Sequence, residues 1–128
     1  MPPAKVPDVT VILLVEDEIV IALGASMVLE DAGYTVHLAP NGSAGLQQAI
    51  EMAPDLIMTD QMMPHMDGMT MIRELRQRGI TVPILLATSM PEATLGAGPD
   101  RSYDAFLPKP YRDAPLLQVV QRLLETAR

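Results

Sequence analysis

Glu16, Asp17 and Asp60 are carboxylates, Thr88 carries a hydroxyl and Lys109 a cation, and each stands at the end of a short apolar run. The runs are Val11 to Val15, Asp55 to Thr59, Ile84 to Ala87 and Ala105 to Leu107. Carboxylates that share a small site repel one another and raise each other's pKa unless a cation intervenes. Mg²⁺ suits that role, because it takes a few carboxylates and keeps several waters in an octahedral shell. A carboxylate can also attack phosphorus to give an aspartyl phosphate. Such a transfer needs mainly positioning and charge neutralisation, which a metal, the Lys109 ammonium and the Thr88 hydroxyl could provide. Acids, hydroxyl and cation together are therefore equipment for a divalent metal and a phosphoryl group.

Something must bring these residues together, and the pattern of strands and helices indicates what. Apolar runs alternate with helical periodicity along the chain, which predicts an α/β fold with a parallel sheet. Helical spacing covers Glu18 to Ala32, Ser43 to Met52, Asp67 to Arg78 and Asp113 to Ala127, with Gly33 and Gly79 as stop signals. Tyr34 to Ala39 supplies the second of five strands. In an open doubly wound sheet, ligands bind beyond the carboxyl ends of the strands, where the strand order reverses. A sheet of order 2-1-3-4-5 makes the first and third strands neighbours, and so gathers Glu16, Asp17 and Asp60. On the first helix, Ile21, Ala25, Val28 and Ala32 are expected to face the sheet. Val20, Leu23 and Met27 form a second apolar stripe on the other side.

Between Met90 and Asp104 the helical pattern fails. Pro91 is acceptable at a first helical position, and Glu92 to Leu95 can make one turn. Gly96 and Gly98 then each cost roughly 1 kcal/mol against Ala, and Pro99 about 3 in a helix interior. A stub or an irregular, mobile loop is expected where a full helix would otherwise stand.

The 128 residues make one domain, with residues 1–9 as a disordered lead-in and the fold over 10–127. No apolar run approaches the roughly 20 residues that cross a membrane, and the start lacks the apolar stretch of a secretory signal. A cytoplasmic protein is the expectation. Zero cysteines exclude disulfides and thiol chemistry. A net charge of −7 argues against a nucleic-acid surface, which needs a basic patch.

Four motifs in order carry a resemblance: Val15-Glu16-Asp17-Glu18, Asp60-Gln61-Met62-Met63-Pro64-His65-Met66-Asp67-Gly68, Ala87-Thr88-Ser89 and Phe106-Leu107-Pro108-Lys109-Pro110. From about Thr10 to Leu124 the chain resembles the receiver domain of two-component response regulators, which implies a flavodoxin-like fold. The resemblance implies that Asp60 is the phosphoacceptor, served by a sensor histidine kinase or phosphotransfer protein. It implies Mg²⁺ held by Asp17 and Asp60, by Glu16 through water, and by the Met62 backbone carbonyl. Thr88 would move toward the phosphoryl group and draw Phe106 inward from an exposed rotamer, while Lys109 pairs with the phosphate. A cis Lys109-Pro110 bond is implied too.

The resemblance further makes Val20, Leu23 and Met27 a stripe for docking the kinase. Met62 and Met90 would flank the line of water attack on the phosphoryl group. Neither can orient a water, so slow phosphoryl loss is expected. Such a protein is no enzyme beyond its own phosphorylation and dephosphorylation. The downstream protein partner and homodimerisation are left open, as is the choice between a free-standing receiver and one cut from a hybrid kinase. Met1 and the short lead-in favour the former.

Taken singly, these residues have plainer explanations. Asp17 could cap the first helix, Asp60 could sit in a turn, Thr88 could simply favour a strand and Lys109 could be a solvated charge. Their coincidence argues against that. A haloacid-dehalogenase-type aspartyl-phosphate hydrolase would need a second Asp two residues beyond an Asp nucleophile after the first strand. Glu16-Asp17-Glu18 does not offer it. A phosphorylation-independent binding module would not need the full set. His37 and His65 read as surface and loop residues, and the ten methionines as core filling and loop packing.

Overall fold

Five apolar segments form one parallel sheet in the order β2-β1-β3-β4-β5, as the spacing predicts. They are β1 (Val11–Val15), β2 (Thr35–Ala39), β3 (Leu56–Thr59), β4 (Ile84–Thr88) and β5 (Ala105–Pro108). Among the described residues four helices cover the sheet: α1 (Ile19–Asp31), α2 (Gly42–Met52), α3 (Gly68–Gln77) and α4 (Asp113–Thr126). The computed structural model describes residues 9–95 and 102–127. The expected lead-in, apart from Val9, and Gly96, Gly98 and Pro99 lie outside the described residues. Within them, the segment after β4 holds one 3-10 turn, Glu92–Leu95.

The three central strands read as unbroken apolar runs because helices lie on both of their faces. Alternate residues then divide between two cores. Ile12, Leu14, Leu56, Met58, Leu85 and Ala87 pack beneath α1 and α4. Leu13, Val15, Ile57, Ile84 and Leu86 pack beneath α2 and α3. Each of the Leu, Ile, Val and Met side chains among them contributes about 1.5–3 kcal/mol on full burial. Edge strand β2 alternates instead, leaving Thr35 and His37 in water. Gly33 and Gly79 end α1 and α3 with φ of 101° and 77°, a region open to glycine at no steric cost.

The inward face of α1 differs from the expected one. Ala22, Ala25, Ser26 and Leu29 are buried, whereas Ile21 and Val28 are half-buried and Ala32 is exposed. Apolar residues surround this helix, so periodicity alone defines its inward face poorly. The small Ala22 and Ala25 allow close approach to the sheet. Buried Ser26 is satisfied by donating from Oγ to Glu30 Oε1 at 2.6 Å.

One cation ties the distal side together. Arg76 donates to the carbonyls of Ile80 (2.9 Å), Val82 (2.8 Å) and Ser102 (3.0 Å) and to Asp104 Oδ2 (3.1 Å). Asp104 Oδ2 also accepts from Ile84 N at 2.8 Å. This clasp fixes the approach to β4 and β5, and through them the strand ends.

Candidate functional site

Strand register determines which side chains meet. Val15 pairs with Ala39 on one side and Thr59 on the other, and Thr88 pairs with Pro108. The next residues, Glu16, Asp60 and Lys109, therefore emerge along one edge of the sheet. Backbone hydrogen bonds carry the ladder into the site: Glu16 N to Ala39 O (3.0 Å), Asp60 N to Val15 O (3.1 Å) and Lys109 N to Thr88 O (3.0 Å). The edge straddles the β1/β3 boundary, where the strand order reverses and crevices form.

Lys109 Nζ donates to Asp60 Oδ2 at 3.1 Å and also to Glu16 Oε1. Asp60 Oδ1 accepts from Gln61 N at 2.6 Å, and Glu16 Oε2 accepts from Glu18 N at 3.3 Å. Asp60 and Glu16 are buried, and Asp17 is exposed at the rim. Burial raises the Glu16 pKa, and the Lys109 ammonium only partly offsets it. For Lys109, burial alone would lower the pKa, but hydrogen bonding and attraction to Glu16 and Asp60 together raise it. Tyr111, beside them, is also raised by burial, against the opposing effect of Lys109. Carboxylate oxygens of Glu16, Asp17 and Asp60 fall within 4.8 Å of one another. Such a set of hard oxygen donors fits a divalent cation such as Mg²⁺.

Asp17 does not cap α1: the N-cap is Glu18, and it makes no side-chain cap bond. The loop from β3 to α3 is more tightly specified. Asp67 Oδ1 accepts from Thr70 N (2.8 Å) and Gln61 Oε1 accepts from Met69 N (2.7 Å), so two side chains satisfy the start of α3. Gly68 is buried, and a Cβ there would lie 2.2 Å from the Asp60 carbonyl oxygen. Gln61 was not among the residues singled out from the sequence, because no local pattern predicts a cap from seven residues before the helix.

Thr88 is fully buried at the end of β4, and its Oγ1 accepts from Met90 N at 3.3 Å. Phe106 is half-buried rather than exposed, with its ring 6.4 Å from that of Tyr103. Tyr103 donates to Glu92 Oε2 at 2.7 Å, joining the 3-10 turn to the start of β5. The Lys109-Pro110 peptide is cis.

A cleft of about 820 Å³ opens over the site between α1 and the β5–α4 connection, lined by Asp17, Asp60, Lys109, Ile21 and Met62. A second recess of about 510 Å³ lies on the other side of Asp17 and Met62 and reaches Met90 and Pro64. Along α1, Val20, Leu23 and Met27 are all exposed, as is Ile19. His37 and His65 are exposed, and neither belongs to the cluster of carboxylates.

Residues 12–121 match the family model of the response regulator receiver domain. The chain is 35% identical over 118 residues to the response regulator MprA of Mycobacterium ulcerans, covering 91% of this chain and 51% of that protein. It is 34% identical over 117 residues to the sensor kinase CckA of Brucella abortus, covering 89% of this chain and 12% of that protein. Thus the chain spans about half the length of one relative and a small part of the other. Among solved structures it superposes on the response regulator TrrA of Thermotoga maritima, in complex with Mg²⁺ and BeF, with a TM-score of 0.79. Identity there is 26%, over 89% of this chain and 98% of that one.

Proposed function

Since the chain belongs to the response regulator receiver domain family of two-component signalling, we propose that Asp60 is its phosphoacceptor and residues 10–127 its receiver domain. The observation that carries this assignment is the Lys109 ammonium 3.1 Å from Asp60 Oδ2, in a site shared with two further carboxylates. An Asp60 oxygen attacks the phosphorus of a phosphohistidine on a sensor kinase or phosphotransfer protein. The new O–P bond forms as the N–P bond breaks, and the imidazole keeps that electron pair and takes up a proton. Lys109 neutralises one phosphoryl oxygen, and the Thr88 hydroxyl turns from Met90 N to donate to another.

Asp17 and Asp60 would hold Mg²⁺ directly, with Glu16 through water and the Met62 carbonyl completing the protein ligands. When bound, the ion supplies further neutralisation of the phosphoryl charge. The TrrA structure in complex with Mg²⁺ and BeF supports the same use here. Movement of Thr88 and Phe106 transmits the change to a downstream protein. Val20, Leu23 and Met27 dock the kinase. A cytoplasmic role is part of this reading; no helix among the described residues is long and apolar enough to cross a membrane.

Beryllofluoride with Mg²⁺, an aspartyl-phosphate mimic, tests the assignment by amide NMR. Shifts that include Asp60, Thr88 and Phe106 are expected in the native chain and not in Asp60→Asn. A spectrum that beryllofluoride leaves unchanged, or that responds equally in Asp60→Asn, would refute it.

A further inference from the structure

Met62 is an exposed thioether at the threshold of the acceptor site. Its relative exposure is 60%, while Met58 and Met71 in the cores stand at 2% and 0%. It borders both cavities, the cleft that contains Asp60 and Lys109 and the recess that contains Met90, and among the described residues only Asp17 shares that position. Anything that approaches Asp60 from the recess therefore passes the Met62 side chain. A thioether is only a weak acceptor and no donor, so the Met62 side of this threshold, unlike the Asp17 carboxylate, offers water little to bind. It is also the chemical group most readily changed into the opposite.

We propose that Met62 is an oxidative modification site, and that its sulfoxide shortens the life of the phosphoryl group on Asp60. This effect rests on Asp60 being the acceptor. The oxidant is a peroxide. The sulfur lone pair attacks one peroxide oxygen, the O–O bond breaks, and the new S–O bond leaves a sulfoxide. Sulfur loses two electrons, and the second oxygen leaves as hydroxide with the O–O electron pair and takes the proton from the new S–OH group to become water. The sulfoxide oxygen is a strong hydrogen-bond acceptor where the thioether was only a weak one. It can hold and aim a water toward the acceptor, and positioning a nucleophile lowers the barrier to its attack.

Met27 provides the control. It is as exposed, at 66%, but lines neither cavity. Its oxidation is expected to leave the phosphoryl lifetime alone.

The test treats the whole chain with hydrogen peroxide, maps added oxygen by peptide mass, and then follows loss of phosphoryl label after acetyl phosphate is removed. Oxygen should appear on Met62 and Met27 before Met58 and Met71. Loss of label should quicken by roughly threefold or more, a small part of what a fully positioned nucleophile can give. Met62→Leu, in which Met27 still takes up oxygen, should abolish the quickening, and methionine sulfoxide reductase should reverse it in the native chain. Oxidation that spares Met62, or that reaches it without changing the lifetime, overturns the proposal. Untreated protein that takes no label refutes Asp60 as acceptor, and with it the effect on lifetime. The mass map decides the oxidation site in either case.

Discussion

Lys109 Nζ lies 3.1 Å from Asp60 Oδ2, although 49 residues separate the two in sequence. The same ammonium bonds Glu16, so a single cation holds two carboxylates that would otherwise repel. Both acids are buried, and the Lys109 side chain is only 12% exposed. Folding and the proposed phosphoryl chemistry therefore draw on the same charge.

Lys109→Met leaves two buried carboxylates without that partner. We expect the metal-free protein to lose about 3–5 kcal/mol, the usual cost of breaking a buried ion pair by removing one partner. Urea unfolding with and without Mg²⁺ measures this, and Mg²⁺ should recover part of the loss. Phosphoryl acceptance should fall in the same variant even where Mg²⁺ restores stability. A variant as stable and as readily labelled as the native chain would mean that the pair is incidental.

Gly68→Ala forces a methyl group into the space held by the Asp60 carbonyl, 2.2 Å away. Backbone cannot swing aside as a flexible side chain can. Overpacking of this kind costs about 1–3 kcal/mol. Both stability and labelling of Asp60 should drop, since the displaced backbone is that of Asp60 itself. Thermal unfolding together with the labelling rate checks this, and a silent substitution would contradict the geometry.

Alkaline pH should loosen the fold. Tyr111 and Lys109 both have pKa values raised in the folded chain, from ordinary values of 10.0 and 10.5. Their protons are held more tightly folded than unfolded. The stability they contribute is whole below about pH 10 and is lost as pH climbs through the raised folded values. Urea midpoints should fall across that window in metal-free protein, and fall less steeply in Tyr111→Phe. A midpoint independent of pH there would contradict the linkage.

Leu23→Glu should slow transfer from a cognate kinase and spare labelling by acetyl phosphate. Leu23 lies at 50% exposure on α1, outside the buried face of Ala22, Ala25, Ser26 and Leu29. A charge there costs the fold little but penalises an apolar contact with a partner. Equal slowing with both donors would exclude docking through this stripe.

Much of this architecture was legible in the chain because its signals are local. Unbroken apolar runs marked the buried strands, Gly33 and Gly79 marked helix ends, and Glu16, Asp17, Asp60, Thr88 and Lys109 all fell just past strands. Parallel register did the rest, since it brings the strand ends to one edge. What escaped depends on distance in space. Arg76 reaches Ser102 and Asp104 across 26 and 28 residues. Gln61 caps α3 across a loop whose path no periodicity describes. The inward face of α1 was misjudged because Val20, Ile21, Leu23 and Met27 make the helix apolar nearly all round, while a buried Ser26 needed Glu30 to be tolerable.

Assignment of Asp60 as acceptor is tested most directly by the mass of the intact protein after incubation with acetyl phosphate and Mg²⁺, followed by peptide mapping. The native chain should gain one phosphoryl group, located on Asp60. Asp60→Asn should gain none while keeping its fold, because only the nucleophilic oxygen is lost. Label that maps to another residue, or an Asp60→Asn chain labelled as fully as the native one, would contradict the assignment.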